Sequence, residues 1–209
     1  MTSRMFVGVD PSVETLCKAV DVLARGAIVA YPTDTLYALG VDPRREDAVR
    51  RLCQLKGRAG GRGVTLVAAD LRQVETCLGV LPPLGRRLAE RFWPGSLTIV
   101  LEPESVLAES VHASDGTLAV RVPRSRVASQ LAALVGHPIT ATSANRRGMV
   151  PAGTGGEVVA ELGSTVALVL EVPGRLAGVA STIVDARGAH PVQLRAGAVP
   201  WDRVLQSLA

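Results

Sequence analysis

The chain has 209 residues, 47% of them hydrophobic and 20% charged, with a formal net charge of +4. That is enough chain for one substantial core, and the absence of a composition break predicts a single domain, 1–209. Cys17, Cys53 and Cys77 form no C-x-x-C pair and His112, His137 and His190 are scattered, which argues against a disulfide framework and a zinc knuckle, so no metal site is expected. The N-terminus lacks a secretory pattern and no apolar run is long enough to span a bilayer, so a cytoplasmic protein without a membrane partner is expected. The positive charge favours an anionic partner, either a polyanion or a small molecule.

Taken in chain order, the first predicted helix is capped by Asp10, carries Pro11 in its first turn and repeats Val13, Leu16, Cys17, Val20 and Leu23 on one face until Gly26. Residues 27–31 form a short apolar strand stopped by Pro32, which places Thr33, Asp34 and Thr35 in a loop at a strand end. A second helix runs over 46–55 through Ala48, Val49, Leu52 and Leu55, with Lys56 just past its C-terminus. Residues 64–69 read as a strand, Asp70 as the cap of a short helix, and 84–92 as a helix ended by Pro94-Gly95. Strands over 97–101 and 118–122 bracket a turn at Ser114-Asp115-Gly116.

Ser125 caps a further helix that Gly136 ends, and a strand over 138–141 runs into Thr142-Ser143-Ala144-Asn145. A short helix over 158–162, strands over 166–172, 181–185 and 192–195, and a closing helix over 200–208 complete the chain. Strands and helices interleave but strands also come in pairs, which predicts an α/β fold of the α+β kind: a twisted mixed sheet flanked by helices.

Three strand ends present polar, small-residue loops, at 32–35, at 142–145 and before Thr182, and in layered α/β proteins such ends converge on a ligand crevice. Each loop alone is an ordinary turn or cap; together their hydroxyls and amide suit phosphate or carboxylate oxygens, with Lys56, Arg58, Arg121 and Arg195 as countercharge. Of the 23 lysines and arginines all but Lys18 and Lys56 are arginine. A lysine retained in Lys56-Gly57-Arg58 either ends an exposed helix or serves a site that needs both a point charge and a planar fork. No G-x-x-x-x-G-K-[ST], G-x-G-x-x-G or G-x-S-x-G motif is present, which removes three common nucleotide and hydrolase sites. Arg50-Arg51 and Arg146-Arg147 lack interleaved aromatics and read as solvated faces.

Seven segments then add up. Tyr31-Pro32-Thr33-Asp34-Thr35-Leu36-Tyr37, Lys56-Gly57-Arg58, Phe92-Trp93-Pro94-Gly95-Ser96-Leu97-Thr98, Ala119-Val120-Arg121-Val122-Pro123, Thr142-Ser143-Ala144-Asn145, Ser181-Thr182-Ile183-Val184-Asp185 and Leu194-Arg195-Ala196-Gly197-Ala198 occur in the order seen in the YrdC/TsaC family, and the likeness runs from about Val20 to Val199. The chain resembles the short form of that family of L-threonylcarbamoyladenylate synthases.

The resemblance implies a YrdC-like fold with a concave basic cavity, and a nucleotidyltransferase that makes threonylcarbamoyl-AMP and pyrophosphate from L-threonine, bicarbonate or CO2, and ATP. Magnesium would be carried by ATP, and the product would feed threonylcarbamoyladenosine formation on tRNA, with tRNA or tRNA-modification proteins as further partners. The family's K-x-R and S-x-N tetrad maps onto Lys56, Arg58, Ser143 and Asn145. Ser143, Asn145, Arg58 and Arg195 are expected to meet the nucleotide, and Thr33, Thr35, Arg121 and Ser181 the threonine. One departure is the usual proline after the K-x-R, which is Ala59 followed by Gly60-Gly61 here and gives the unfolded loop more conformations to lose. An RNA-binding module of the same fold and a paralogue acting on another small substrate are the alternatives.

Overall fold

The computed structural model describes residues 2–8, 10–57, 63–176 and 178–208. The first half of the chain forms β1 (Ser3–Phe6), α1 (Val13–Ala24), β2 (Val29–Pro32), β3 (Tyr37–Gly40), α2 (Glu46–Leu55), β4 (Leu66–Val67), α3 (Leu71–Leu78), α4 (Pro83–Phe92) and β5 (Leu97–Leu101). The second half forms β6 (Leu118–Arg121), α5 (Arg126–Val135), β7 (Ile139–Thr140), β8 (Thr142–Ser143), α6 (Gly155–Leu162), β9 (Leu168–Glu171), β10 (Thr182–Asp185), β11 (Val192–Arg195) and α7 (Trp201–Gln206), and single 3₁₀ turns occupy Glu109–Val111 and Gly163–Thr165.

The expected mixed α/β architecture is observed, with the strands divided between two sheets. One has the order β1-β9-β2-β3-β8 and the other β11-β10-β5-β6-β4-β7, and each combines parallel and antiparallel neighbours. The chain passes from one sheet to the other within three residues. Of the strand expected over 138–141 only β7 forms, pairing with β4 in the second sheet, whereas β8, in residues expected to be loop, pairs with β3 in the first. Thr140 ties the crossing point, because its carbonyl accepts from the Tyr31 hydroxyl at 2.8 Å and its own hydroxyl accepts from the Val41 amide at 2.8 Å.

Two hydrophobic clusters hold these layers. Leu16, Ala19 and Leu23 of α1 and Val127, Leu131 and Ala132 of α5 pack with Val29, Tyr31 and Leu170, while Leu39, Leu52, Leu66, Leu97, Ile99, Val120 and Val169 form the larger cluster. Burying each such side chain contributes roughly 1.5–3 kcal/mol, so the sheets are fixed relative to the helices that cover them.

Local chemistry explains most element ends. Asp70 and Ser125 accept from the amides of Gln73 and Ala128, as expected for caps, and Gly136 closes α5 in the left-handed region at φ 83°. The first helix differs from the sequence expectation: its cap is Ser12, whose hydroxyl accepts from the Thr15 amide at 3.2 Å. Asp10 sits too far outside the first turn for that bond and instead faces Arg126 at 3.4 Å. Besides β8, the strands β1 and β3 were not expected. β1 is a largely exposed edge strand with polar residues, and β3 consists of small and aromatic residues whose burial comes from pairing with β2 and β8.

Candidate active site

The three polar loops do converge. Thr33, Thr35, Arg121, Ser143, Ser181 and Arg195 line one cleft of about 160 Å³, which is completed by small walls such as Thr65, Ala38, Ala141 and Ala180. The strands dictate this meeting: β2 ends at Pro32, β3 pairs Ala38 with Ser143, β6 ends at Arg121, and the β10–β11 pair carries Arg195 back beside Ser181.

The turn between β2 and β3 is closed by its own threonines. Thr33 Oγ1 accepts from the amides of Thr35 and Leu36, each at 3.1 Å, and lies 2.9 Å from Thr35 Oγ1. Thr35 Oγ1 accepts from Arg121 Nη2 at 3.1 Å. Arg121 is only 4% exposed. Burial pushes its guanidinium below the ordinary value, opposed by the charge of Asp34. On the other wall, Ser181 shares a 2.8 Å hydroxyl contact with Thr98, and its carbonyl accepts from Arg195 Nε and Nη2 at 3.0 and 2.7 Å.

Behind Ser143 lies a second cluster. Lys56 caps the C-terminus of α2 and is 7% exposed, so the alternative of an exposed helix end does not hold. Its ammonium donates to the carbonyls of Ser143 at 2.8 Å and Asn145 at 2.6 Å and to Asn145 Oδ1 at 2.6 Å, with Ser143 Oγ at 3.3 Å. Ser143 Oγ donates to the same Asn145 Oδ1 at 2.6 Å, while the Asn145 side-chain amide donates to the Met149 carbonyl. A compact ammonium with three donors suits this set of oxygens converging on one point, whereas a planar fork does not. Arg58 and the Ala59-Gly60-Gly61 segment lie outside the described residues.

Sequence reasoning missed the partners behind these groups. Asp34 Oδ1 stands 3.2 Å from Arg121 Nη1, and Asp34 Oδ2 accepts from Ser96 Oγ at 2.8 Å. Asp34 and Ser96 both lie in segments that the sequence marked, yet nothing in linear spacing pairs them. Thr98 follows Leu97 in a fully buried strand and reads as core until the fold sets it against Ser181.

A family model for the Sua5, YciO and YrdC proteins, described as "Telomere recombination", matches residues 21–197. The chain belongs to the Sua5/YciO/YrdC family. Within it, the chain is 39% identical over 147 residues to a threonylcarbamoyl-AMP synthase of Thiobacillus denitrificans, covering 70% of this chain and 78% of the relative. A threonylcarbamoyl-AMP synthase of Bacillus subtilis is 34% identical over 210 residues, covering 97% of this chain but 60% of the longer relative. The crystal structure of P. abyssi Sua5 complexed with L-threonine matches with a TM-score of 0.92 at 30% identity, over 99% of this chain and 61% of that one. E. coli YciO matches with a TM-score of 0.88 at 25% identity, over 98% of this chain and all of that one. The family match and the two structural matches span both walls of the cleft.

Proposed function

We propose that this protein is a threonylcarbamoyl-AMP synthase, a nucleotidyltransferase that joins L-threonine, bicarbonate or CO2, and ATP and releases pyrophosphate. The observation that carries the reading is the convergence of Thr33, Thr35, Arg121 and Ser181 on one cleft with Ser143, which Lys56 and Asn145 hold from behind, in a chain with named synthases among its relatives and an L-threonine complex among its structural neighbours. Residues 1–209 act as one unit in this reading. Its support is that both sheets draw strands from the two halves of the chain.

In the reaction, the threonine amine attacks the carbon of CO2 and loses a proton, giving an N-carboxylate. An oxygen of that carboxylate attacks the α-phosphorus of ATP, and the bond to the bridging oxygen breaks as pyrophosphate leaves. Both steps gather negative charge, so positioning and preorganised donors can supply the acceleration without a covalent intermediate. Arg121, Thr33 or Thr35, and Ser181 hold the threonine. Ser143, Asn145, Arg58 and Arg195 receive the nucleotide, and Lys56 brings positive charge to the phosphate side while fixing the Ser143–Asn145 turn.

Magnesium enters as the counter-ion of the nucleotide phosphates. Bound with ATP, it would be ligated mainly by phosphate oxygens and water. The product is a mixed anhydride, and an adenosine of tRNA is the acceptor that consumes it. A reaction fed by ATP belongs in the cytoplasm, and among the described residues no helix is long and apolar enough to cross a membrane.

A second reading, a paralogue acting on another small substrate, draws on Ala59-Gly60-Gly61 standing where the family usually has proline after the K-x-R. Mass spectrometry after incubation with ATP, L-threonine and ¹³C-bicarbonate separates the two. The synthase yields threonylcarbamoyl-AMP carrying the label; absence of a labelled adenylate under conditions where the protein is folded overturns the assignment.

A further inference from the structure

The side chain of Asp34 takes no part in closing the turn it sits in. Thr33 does that work by accepting from the Thr35 and Leu36 amides, which leaves the Asp34 carboxylate directed elsewhere. One of its oxygens accepts from Ser96 Oγ at 2.8 Å, and the other lies 3.2 Å from Arg121 Nη1. A guanidinium as buried as Arg121 requires a countercharge, and among the described residues Asp34 is its ion-pair partner.

The geometry of that pair is unusual for arginine and carboxylate, which normally align two parallel N–H bonds. Here Arg121 Nη2 is spent on Thr35 Oγ1. Nη1 and Asp34 Oδ1 are close enough to attract, but neither has an aligned hydrogen-bond partner among the described residues. Buried polar groups left in this state are rare and call for an explanation. Asp34 thus balances the charge of Arg121 from the buried side, and Arg121 lines the cleft beside Thr35 and Ser181.

We propose that Asp34, oriented by Ser96, is a positioning residue that holds Arg121 in place and charged where its guanidinium meets the carboxylate of the amino-acid substrate. The inference rests on the threonine reading of the cleft. It assigns Asp34 no contact with substrate, and it predicts an effect confined to amino-acid binding. In the substrate complex Arg121 would serve two carboxylates, with Asp34 providing charge balance on the buried side and the substrate carboxylate meeting the guanidinium on the cleft side.

The test compares the wild type with Asp34→Asn, which keeps an acceptor for Ser96 but removes the charge, and Ser96→Ala, which keeps the charge but frees its orientation. L-threonine affinity is measured by calorimetry, and KM for threonine and for ATP by pyrophosphate release. Expected is a rise of about tenfold or more in both the dissociation constant and KM for threonine in Asp34→Asn, with KM for ATP unchanged. A smaller rise in the same direction is expected in Ser96→Ala, with normal thermal unfolding. If Asp34→Asn does not fold, Ser96→Ala decides. Wild-type threonine affinity in a folded Asp34→Asn or in Ser96→Ala, or equal losses toward threonine and ATP, overturns the proposal. A wild type that neither binds nor uses threonine fails the synthase reading itself.

Discussion

The ammonium of Lys56 lies 2.6 Å from Oδ1 of Asn145, 89 positions later in the chain, and the same nitrogen reaches the carbonyls of Ser143 and Asn145. The lysine thereby fixes the strand end that contributes Ser143 to the cleft. Replacement by arginine keeps the charge but not the point geometry. Lys56→Arg is expected to lose roughly a hundredfold in threonine-dependent rate, the scale set by a misplacement of about 1 Å. Lys56→Met leaves buried acceptors without a donor, at a cost of about 1–3 kcal/mol of stability. Chemical denaturation and steady-state rates check both; an Arg variant with the wild-type rate would show that the surviving lysine has no geometric role.

The two residues that Lys56 holds are not equivalent. Asn145 Oδ1 accepts from both Lys56 and Ser143 at 2.6 Å, and its amide supports the Met149 carbonyl, whereas the Ser143 hydroxyl donates to Asn145 and accepts only a longer contact from Lys56 at 3.3 Å. Asn145→Ala is expected to cost about 1.5–3 kcal/mol, the range for a hydrogen bond to a charged group, and Ser143→Ala only about 0.5–1.5 kcal/mol. Both should lower activity, by about tenfold to a hundredfold, if their donors reach the nucleotide. Denaturant midpoints in the reverse order would contradict this description of the turn.

Backbone packing seals the cleft walls. A Cβ on Gly197 would fall 2.3 Å from the Ala180 carbonyl oxygen and 2.4 Å from the Ser181 carbonyl carbon, and one on Gly178 would fall 2.2 Å from the Thr35 carbonyl oxygen. Because these neighbours are backbone, either alanine must displace a residue of the site, at a cost of about 1–3 kcal/mol together with most of the activity. Gly156→Ala in α6, where the nearest atom is 3.8 Å away, should instead be neutral or stabilising by about 0.5–1 kcal/mol. Thermal unfolding of the three variants provides the comparison.

Acid sensitivity has a defined source in His137. Its Nδ1 donates to the Pro138 carbonyl at 2.8 Å, while Nε2 lies 3.6 Å from Asp42 without a hydrogen-bond partner. Burial pushes the imidazole below its ordinary value of 6.5. The unfolded chain therefore takes up the proton first, and this contribution to stability, present above about pH 6.5, is lost as pH falls through the lower folded-state value. Denaturant unfolding at pH 7.5 and 5.5 should show a larger loss in the wild type than in His137→Gln. A wild type that gains stability on acidification would mean that pairing with Asp42 outweighs burial.

Much of this organisation was legible in the sequence where a local rule decides it. The helix over Glu46–Leu55 and the strands over Leu97–Leu101 and Val192–Arg195 have the expected bounds, because apolar periodicity and flanking breakers coincide there. β1 and β3 were hidden because four residues carry too little pattern to be read as a strand until remote neighbours pair with them. At the site, the residue types and the order of the motifs pointed to Lys56, Ser143 and Asn145. That Lys56 would spend its donors on the other two, and that Asp34 would stand against Arg121, depends on how the sheets bring distant segments together, which local pattern does not encode.

The most direct test of the account is pyrophosphate release from ATP, measured with L-threonine and bicarbonate both supplied and then omitted one at a time from CO2-depleted buffer. The account predicts release only when both are present, with activity restored on adding back the missing one. Equal ATP turnover without threonine would contradict it.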